Sequence, residues 1–237
     1  MKKLKYIMAT LMVALVVAVV LVGCKKEEKT YSCNPTINKW VAKNKDSFSS
    51  ITREQIGSLP MSLQKSVFLC LTPEKQWALW KEKLSLERGK WDEPVQNIID
   101  IITNTVDCSW YSKPLDKEQD LFFKNIEEKI LTSLMDSIDY VICFCSLSTE
   151  EQIQKLSNPN DIDYSWISFP SEICPDDFSK EAPGGSGSSS FNDCKCAWDI
   201  TCFWSNSPCI KSGCKPTEKG CGILGQYPCT GTCSKAL

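Results

Sequence analysis

The sequence predicts a mainly α protein, with a small helical domain followed by a flexible linker and a small disulfide-rich module with little regular structure. Three observations carry this. Between Ser50 and about Asn158, apolar residues recur at intervals of three and four, the spacing of one buried helix face. The run Pro183-Gly184-Gly185-Ser186-Gly187-Ser188-Ser189-Ser190 has no apolar side chain except the proline ring, which is flexible-linker composition. Beyond it, from Phe191 to Leu237, eight of the chain's 15 cysteines crowd together. The division that follows is a leader over 1–23, an anchor-proximal spacer over 24–49, the α-helical domain over 50–182, the linker over 183–190 and the eight-cysteine module over 191–237.

The leader is read from Lys2, Lys3 and Lys5, an uncharged run from Tyr6 to Gly23, and the tetrapeptide Leu21-Val22-Gly23-Cys24. A basic start, an apolar stretch and a small-residue cleavage site make a signal peptide. The tetrapeptide resembles the lipobox of bacterial lipoproteins, and that resemblance implies that Cys24 is diacylated and becomes the first residue of the mature chain. An uncleaved membrane anchor is the alternative, since about 18 apolar residues at 1.5 Å each nearly span a hydrocarbon core. A cysteine after Val-Gly has no purpose in a simple anchor. Lys25-Lys26-Glu27-Glu28-Lys29 then resembles the surface-export tag of lipoproteins in the Bacteroidetes, and reads equally as a solvated spacer. Either way the chain leaves the cytoplasm, held to the outer membrane or cell surface by two or three acyl chains.

Within the helical domain, Leu63, Val67 and Leu71 share one face. Thr72-Pro73-Glu74 supplies an N-cap, a first-turn proline and an early acid; Trp77, Trp80 and Leu84 then recur until Arg88-Gly89 ends the helix. After Pro94 the stripe is Val95, Ile98, Ile99, Ile102 and Val106; after Pro114 it is Leu115, Phe122, Ile126, Ile130 and Leu134. Ser148-Thr149-Glu150-Glu151 has capping-box spacing and opens a short helix bearing Ile153 and Leu156. One face of each helix must be buried, so these stripes are read as core rather than as a ligand groove. Gly184-Gly185 also resembles the leader cleavage site of exported bacteriocins, although Ser179 and Lys180 do not supply the apolar residues such leaders carry upstream.

The net charge is −2, which gives no electrostatic footprint for nucleic acid. There is no histidine, so Ser-His-Asp and Cys-His nucleophiles, histidine zinc sites and imidazole-ligated haem are all excluded. Carboxylate pairs remain, but the reading is of a protein that is not an enzyme and takes no cofactor.

The cysteines fall into three sets: Cys24 for the lipid; Cys33, Cys70, Cys108, Cys143, Cys145 and Cys174 in the body; and Cys194, Cys196, Cys202, Cys209, Cys214, Cys221, Cys229 and Cys233 in the tail. Both larger sets are even, as disulfide pairing in an exported chain requires, and the spacing does not fix partners. For the body set, buried free thiols are the alternative, because Cys70 and Cys143 have apolar neighbours. Zinc is disfavoured in the tail, which has neither a Cys-x-x-Cys pair nor histidine. A module of this size buries too little apolar surface to fold unaided, so its disulfides are expected to hold it.

The tail spacing, with Cys194-Lys195-Cys196, isolated cysteines, Gly220-Cys221-Gly222 and Cys229-Thr230-Gly231-Thr232-Cys233, is similar to that of the fulvocin-type bacteriocins. The stretch from Leu59 to Leu84, with Pro73-Glu74-Lys75 and Leu79-Trp80, resembles the body of bacterial lipoproteins grouped as bacteriocin fulvocin C-related. Together these cover about a third of the chain. The last two cysteines depart from the pattern, being separated by three residues instead of one, so no connectivity is carried over. The resemblance implies an antibacterial, bacteriocin-like effector or its precursor, acting on the envelope or a protein of another cell. The residues themselves leave a second reading open, a surface recognition module that does not kill. Trp198, Phe203, Trp204, Ile223, Leu224 and Tyr227 are too many large apolar groups for a sulfur-filled interior, and are expected to form a contact surface beside a tail charge of +2.

Overall fold

The computed structural model describes residues 29–156, 164–169, 193–194, 209–210 and 215–233, with backbone alone at 62, 193–194, 209–210 and 232–233. The protein is mainly helical. The helices are α1 (Pro35–Asn44), α2 (Arg53–Gly57), α3 (Met61–Cys70), α4 (Pro73–Arg88), α5 (Glu93–Thr105), α6 (Lys117–Ser133), α7 (Ser137–Tyr140) and α8 (Glu150–Leu156). Short 3-10 turns lie at Lys45–Phe48 and Cys108–Tyr111, and α7 runs on into a π-helical turn, Val141–Cys145.

The helix boundaries follow from local chemistry. Thr72 Oγ1 accepts from Lys75 N at the head of α4, with Pro73 in its first turn, and Gly89 follows its last residue. The stripes of α3, α4 and α5 turn Leu63, Val67, Trp77, Trp80, Leu84, Val95, Ile98, Ile99 and Ile102 into one core with Phe123, Ile126 and Ile130 of α6. Two caps differ from expectation. The box that opens α8 uses Thr149 and Gln152, one residue on from Ser148, with Gln152 N donating to Thr149 Oγ1 and Thr149 N to Gln152 Oε1. Ser148 instead accepts from Gln64 Nε2 at 2.5 Å and donates to Gly57 O at 2.6 Å. At α6, Asp116 and Gln119 form an unforeseen capping box.

A buried polar strip holds the segment between the π turn and α8. Gln64 takes Leu147 N on its Oε1, and Arg53 donates to Leu147 O and to Gln152 Oε1. Lys83 donates to Ser148 O and to Glu87 Oε1, both at 2.6 Å, and neither Lys83 (0% exposed) nor Glu87 (1%) reaches solvent. Every strong donor in the strip thus meets an acceptor, as burial demands.

The expected spacer over 24–49 is shorter than the sequence suggests. Asn34 caps α1, accepting from Thr36 N and Ile37 N, and Ile37, Trp40 and Val41 enter the common core with Phe48. Trp40 donates its indole N–H to Ser168 O at 2.9 Å and stacks on Phe169, which ties residues 164–169 to α1. Among the described residues no helix is long and apolar enough to cross a membrane. Cys24 and the leader lie outside the described residues, as does the linker over 183–190.

In the tail, β1 (Asp193–Cys194), β2 (Cys209–Ile210) and β5 (Gly231–Cys233) form an antiparallel sheet in the order β1-β5-β2, with Cys194 opposite Gly231 and Cys209 opposite Cys233. Separately, β3 (Gly220–Cys221) and β4 (Tyr227–Pro228) pair antiparallel around a 3-10 turn, Ile223–Gly225. This second hairpin does not stand apart from the helices. It packs its strand β3 on α3 and its turn on the π-helical turn.

Candidate functional site

Among the described residues, the place where tail meets body brings polar groups and sulfur together most closely. Its centre is the loop Gly220-Cys221-Gly222-Ile223-Leu224-Gly225-Gln226-Tyr227. Gly222 (φ 69°), Leu224 (φ 51°) and Gly225 (φ 65°) all take positive φ. Glycine is needed at two of these for contact as well as for dihedral. A Cβ on Gly222 would lie 2.6 Å from Tyr227 Cδ2, and one on Gly225 would lie 3.2 Å from Phe68 Cε1. The loop is closed at its base by the disulfide Cys221–Cys229. This folds the tip into a compact plug that drives Ile223 and Leu224, each 0% exposed, into the same core as the helices, with Tyr227 beside them.

These three residues were expected on a contact surface, and the structure corrects that. The reasoning that a sulfur-filled module cannot bury them holds for the module alone; the helical body supplies the missing interior. Burying Ile223 and Leu224 contributes about 1.5–3 kcal/mol each by apolar transfer. The expectation of a tail standing apart from the body is corrected likewise for residues 215–231. Trp198, Phe203 and Trp204 lie outside the described residues.

A polar latch flanks the plug. Lys219, 5% exposed, donates its ammonium to Trp110 O and to Gln226 Oε1 (2.8 Å), with the Tyr111 ring 5.6 Å below it. Burial lowers its pKa to about 8, against a smaller upward pull from Glu218. Burial also pushes the Tyr111 hydroxyl far up, with Gln226 beside it pulling the other way. Thr217 reinforces the base of the hairpin: its N donates to Cys229 O, and its Oγ1 accepts from Cys229 N and donates to Lys219 O.

The sulfurs gather on the other side. Cys33, Cys221 and Cys229 form a buried cluster of their own. Cys33 is itself in a disulfide, and its Sγ sits 3.6 Å from Cys229 O and 3.8 Å from Lys215 O, so the chain just ahead of the α1 cap Asn34 abuts the tail. Pairing thus holds for Cys221 and Cys229 of the tail set and for Cys33 of the body set. The side chains of Cys194, Cys196, Cys202, Cys209, Cys214 and Cys233, and Cys174, lie outside what is described.

Four of the six body candidates are corrected to free thiols: Cys70, Cys108, Cys143 and Cys145. Cys143 and Cys145 sit on the π-helical turn, buried among apolar side chains, and burial pushes the Cys143 thiol well up, with Glu87 adding to the rise. Cys70 is pushed up to about 12 by burial, despite opposing pulls that include Lys29 and Lys45. Thiols this reluctant to ionise behave as small apolar residues and make poor nucleophiles.

At the seam, a cavity of about 20 Å³ lies between Phe68, Trp80, Cys145 and Leu147 on the body and Gly220 and Gly225 on the tail. It has room for about one water molecule. Trp80, one of its lining residues, has a buried indole N–H with no hydrogen-bond partner. Among the described residues no cluster of three His, Cys, Asp or Glu is placed to hold a metal ion. The seam is therefore an intramolecular docking site built from apolar plug, ammonium latch and sulfur.

The Gly220-Cys221-Gly222 motif is visible in the sequence, whereas the roles of Lys219, Gln226 and Cys33 are not. The available signal was a single one: Ile223-Leu224 flanked by glycines inside a cysteine loop is an apolar tip with nothing in its own module to cover it. Comparison with protein-family models, with curated proteins and with solved structures finds no match for this chain.

Proposed function

We propose that this chain is a lipid-anchored protein of the cell envelope that binds a surface partner through its cysteine-rich tail, and is not the source of a freely diffusing toxin. The observation that carries this is the complete burial of Ile223 and Leu224 in the helical core. A diffusible bacteriocin-like module must fold alone and keep its apolar side chains for a membrane. Here Ile223, Leu224 and Tyr227, three of the six large apolar residues expected on a contact surface, are committed to the body, and we assign contact to the other three, Trp198, Phe203 and Trp204. Anchoring rests on the lipobox at Cys24, and the absence of histidine supports a non-catalytic role.

The test uses the mature oxidised chain on intact cells of related strains and on vesicles of phosphatidylglycerol and phosphatidylethanolamine. The binding reading expects saturable attachment to cells without vesicle leakage or killing, weakened by a combined Trp198→Ala, Phe203→Ala and Trp204→Ala variant. Leakage or killing by the mature chain would reinstate the effector reading. For the anchor, Cys24→Ala should leave an unprocessed precursor that still begins at Met1; normal processing of that variant would remove the lipoprotein assignment.

A further inference from the structure

The disulfide Cys221–Cys229 is fully buried where the hairpin meets the body. Both residues are 0% exposed, Cys33 covers them from the body, and the plug they close is sunk in the helical core. Thiol–disulfide exchange needs in-line approach of a thiolate to one sulfur, and in the docked state that approach is blocked. The dependence also runs the other way. The bond closes a loop with a sequence separation of 8, in which three residues hold positive φ, one of them Leu224. Without the bond, that shape must be reached from an open chain at the full cost in loop-closure and backbone entropy.

We propose that the seam is a redox gate: Cys221–Cys229 is reduced only from the transiently undocked tail, and once reduced it keeps the tail undocked, setting Ile223, Leu224 and Tyr227 free for another surface. The reductant is a dithiol, such as an envelope thiol–disulfide reductase. One of its thiolates attacks Sγ of Cys221 or Cys229, forming a mixed disulfide and expelling the other cysteine as thiolate. Its second thiol then resolves the mixed disulfide. The dithiol ends as a disulfide, and two electrons and two protons end on the two cysteines. The side chains of Lys219 and Gln226 hold the plug away from the sulfurs, so they set how often the gate opens; only the Lys219 carbonyl, which a side-chain variant keeps, lies near a sulfur, 4.0 Å from Cys229 Sγ. The inference stands apart from the binding reading, because it concerns when the tail is free and not what it then meets.

The experiment follows reduction of the mature oxidised chain by dithiothreitol, with acid quenching, differential alkylation and mass mapping of Cys221 and Cys229. Expected is reduction about a hundredfold or more slower than in the same chain unfolded in urea, since only a minor open population reacts. Ile223→Ala should speed it by about thirtyfold, the effect of one large buried side chain on the opening equilibrium. Lys219→Met, which leaves the apolar plug whole, should change the rate as well and serves if the alanine variant does not fold. Exposed Leu86→Ala should leave the rate unchanged. After reduction, the amides around Phe68 and Leu69 in α3 should lose hydrogen-exchange protection. Reduction as fast as in the unfolded chain overturns the gate, as does a rate unaffected by either plug variant. Retained protection of α3 after complete reduction of this bond overturns the claim that reduction frees the tail.

Discussion

Leu224 sets two effects against each other, and their balance makes an unusual ordering of variants. Its side chain is fully buried in the helical core, while its backbone sits at φ 51°, ψ 21°. Leu→Ala at such a site costs about 2.7–5 kcal/mol in transfer and cavity terms. The left-handed conformation costs a residue with a Cβ about 1–2 kcal/mol, and alanine still pays it. Leu224→Gly loses the same side chain and slightly more, but is relieved of that cost. Against the relief stands the greater freedom of glycine in the unfolded chain, about 0.5–1 kcal/mol. The relief is the larger. Both variants should therefore be less stable than wild type by several kcal/mol, yet Leu224→Gly should exceed Leu224→Ala by about 0.5–1 kcal/mol, the reverse of the usual order. Urea unfolding of the oxidised mature chain, followed by helical circular dichroism, measures both differences. Two variants as stable as wild type would refute burial of the tip in the helical core, and alanine above glycine would refute the left-handed turn.

Other expectations follow from the same geometry. Alkylation in denaturant without reductant should label Cys70, Cys108, Cys143 and Cys145 and spare Cys33, Cys221 and Cys229; labelling of Cys221 or Cys229 would break the plug's closure. Lys83→Met leaves Glu87 buried with only the partly exposed Lys90 as a partner, which should cost about 3–5 kcal/mol, whereas Lys83→Met with Glu87→Leu should recover most of that; equal costs for single and double variants would contradict the buried pair. Docked Lys219 has a pKa lowered from 10.5 to about 8, so the docked tail binds fewer protons than the free tail between those values. Docking should accordingly strengthen as pH rises from 8 towards 10.5 and be weakest, and flat with respect to this group, below 8. Hydrogen exchange of α3 across that range should show the rise in wild type and lose it in Lys219→Met; the same rise in both would assign it to another group.

Much of the helical body was legible because its signals are local. Thr72-Pro73 and Arg88-Gly89 bracket α4 at the observed residues, and the stripes of α5 and α6 each state which face is buried. The head of α8 was displaced by one residue because Ser148 and Thr149 both satisfy the capping rule, and only the long-range contact with Gln64 and Gly57 decides between them. In the sequence α1 looks like spacer because the lysines at 39 and 43 mask a short stripe of Ile37, Trp40 and Val41 whose partners are distant in sequence. The seam was hidden for the same reason. Composition marks the tail as a unit with its own cysteines, but whether Ile223 faces solvent depends on Phe68 and the π-helical turn, more than 70 residues upstream. Counting cysteines to an even number likewise could not show that Cys33 abuts the tail while four body cysteines stay reduced.

The claim on which the rest depends is that residues 215–231 belong to the core of the helical body. Its most direct measurement is the thermal unfolding of the mature chain ended at Ser190, compared with the mature chain through Leu237, by helical circular dichroism under oxidising conditions. Removing Ile223, Leu224 and Tyr227 withdraws about 5 kcal/mol or more of buried apolar surface, which at about 2–4 °C per kcal/mol for a chain of this size should lower Tm by about 10 °C or more. A shortened chain that melts at the temperature of the full one, with the same helical signal, would mean that the plug is not part of that core.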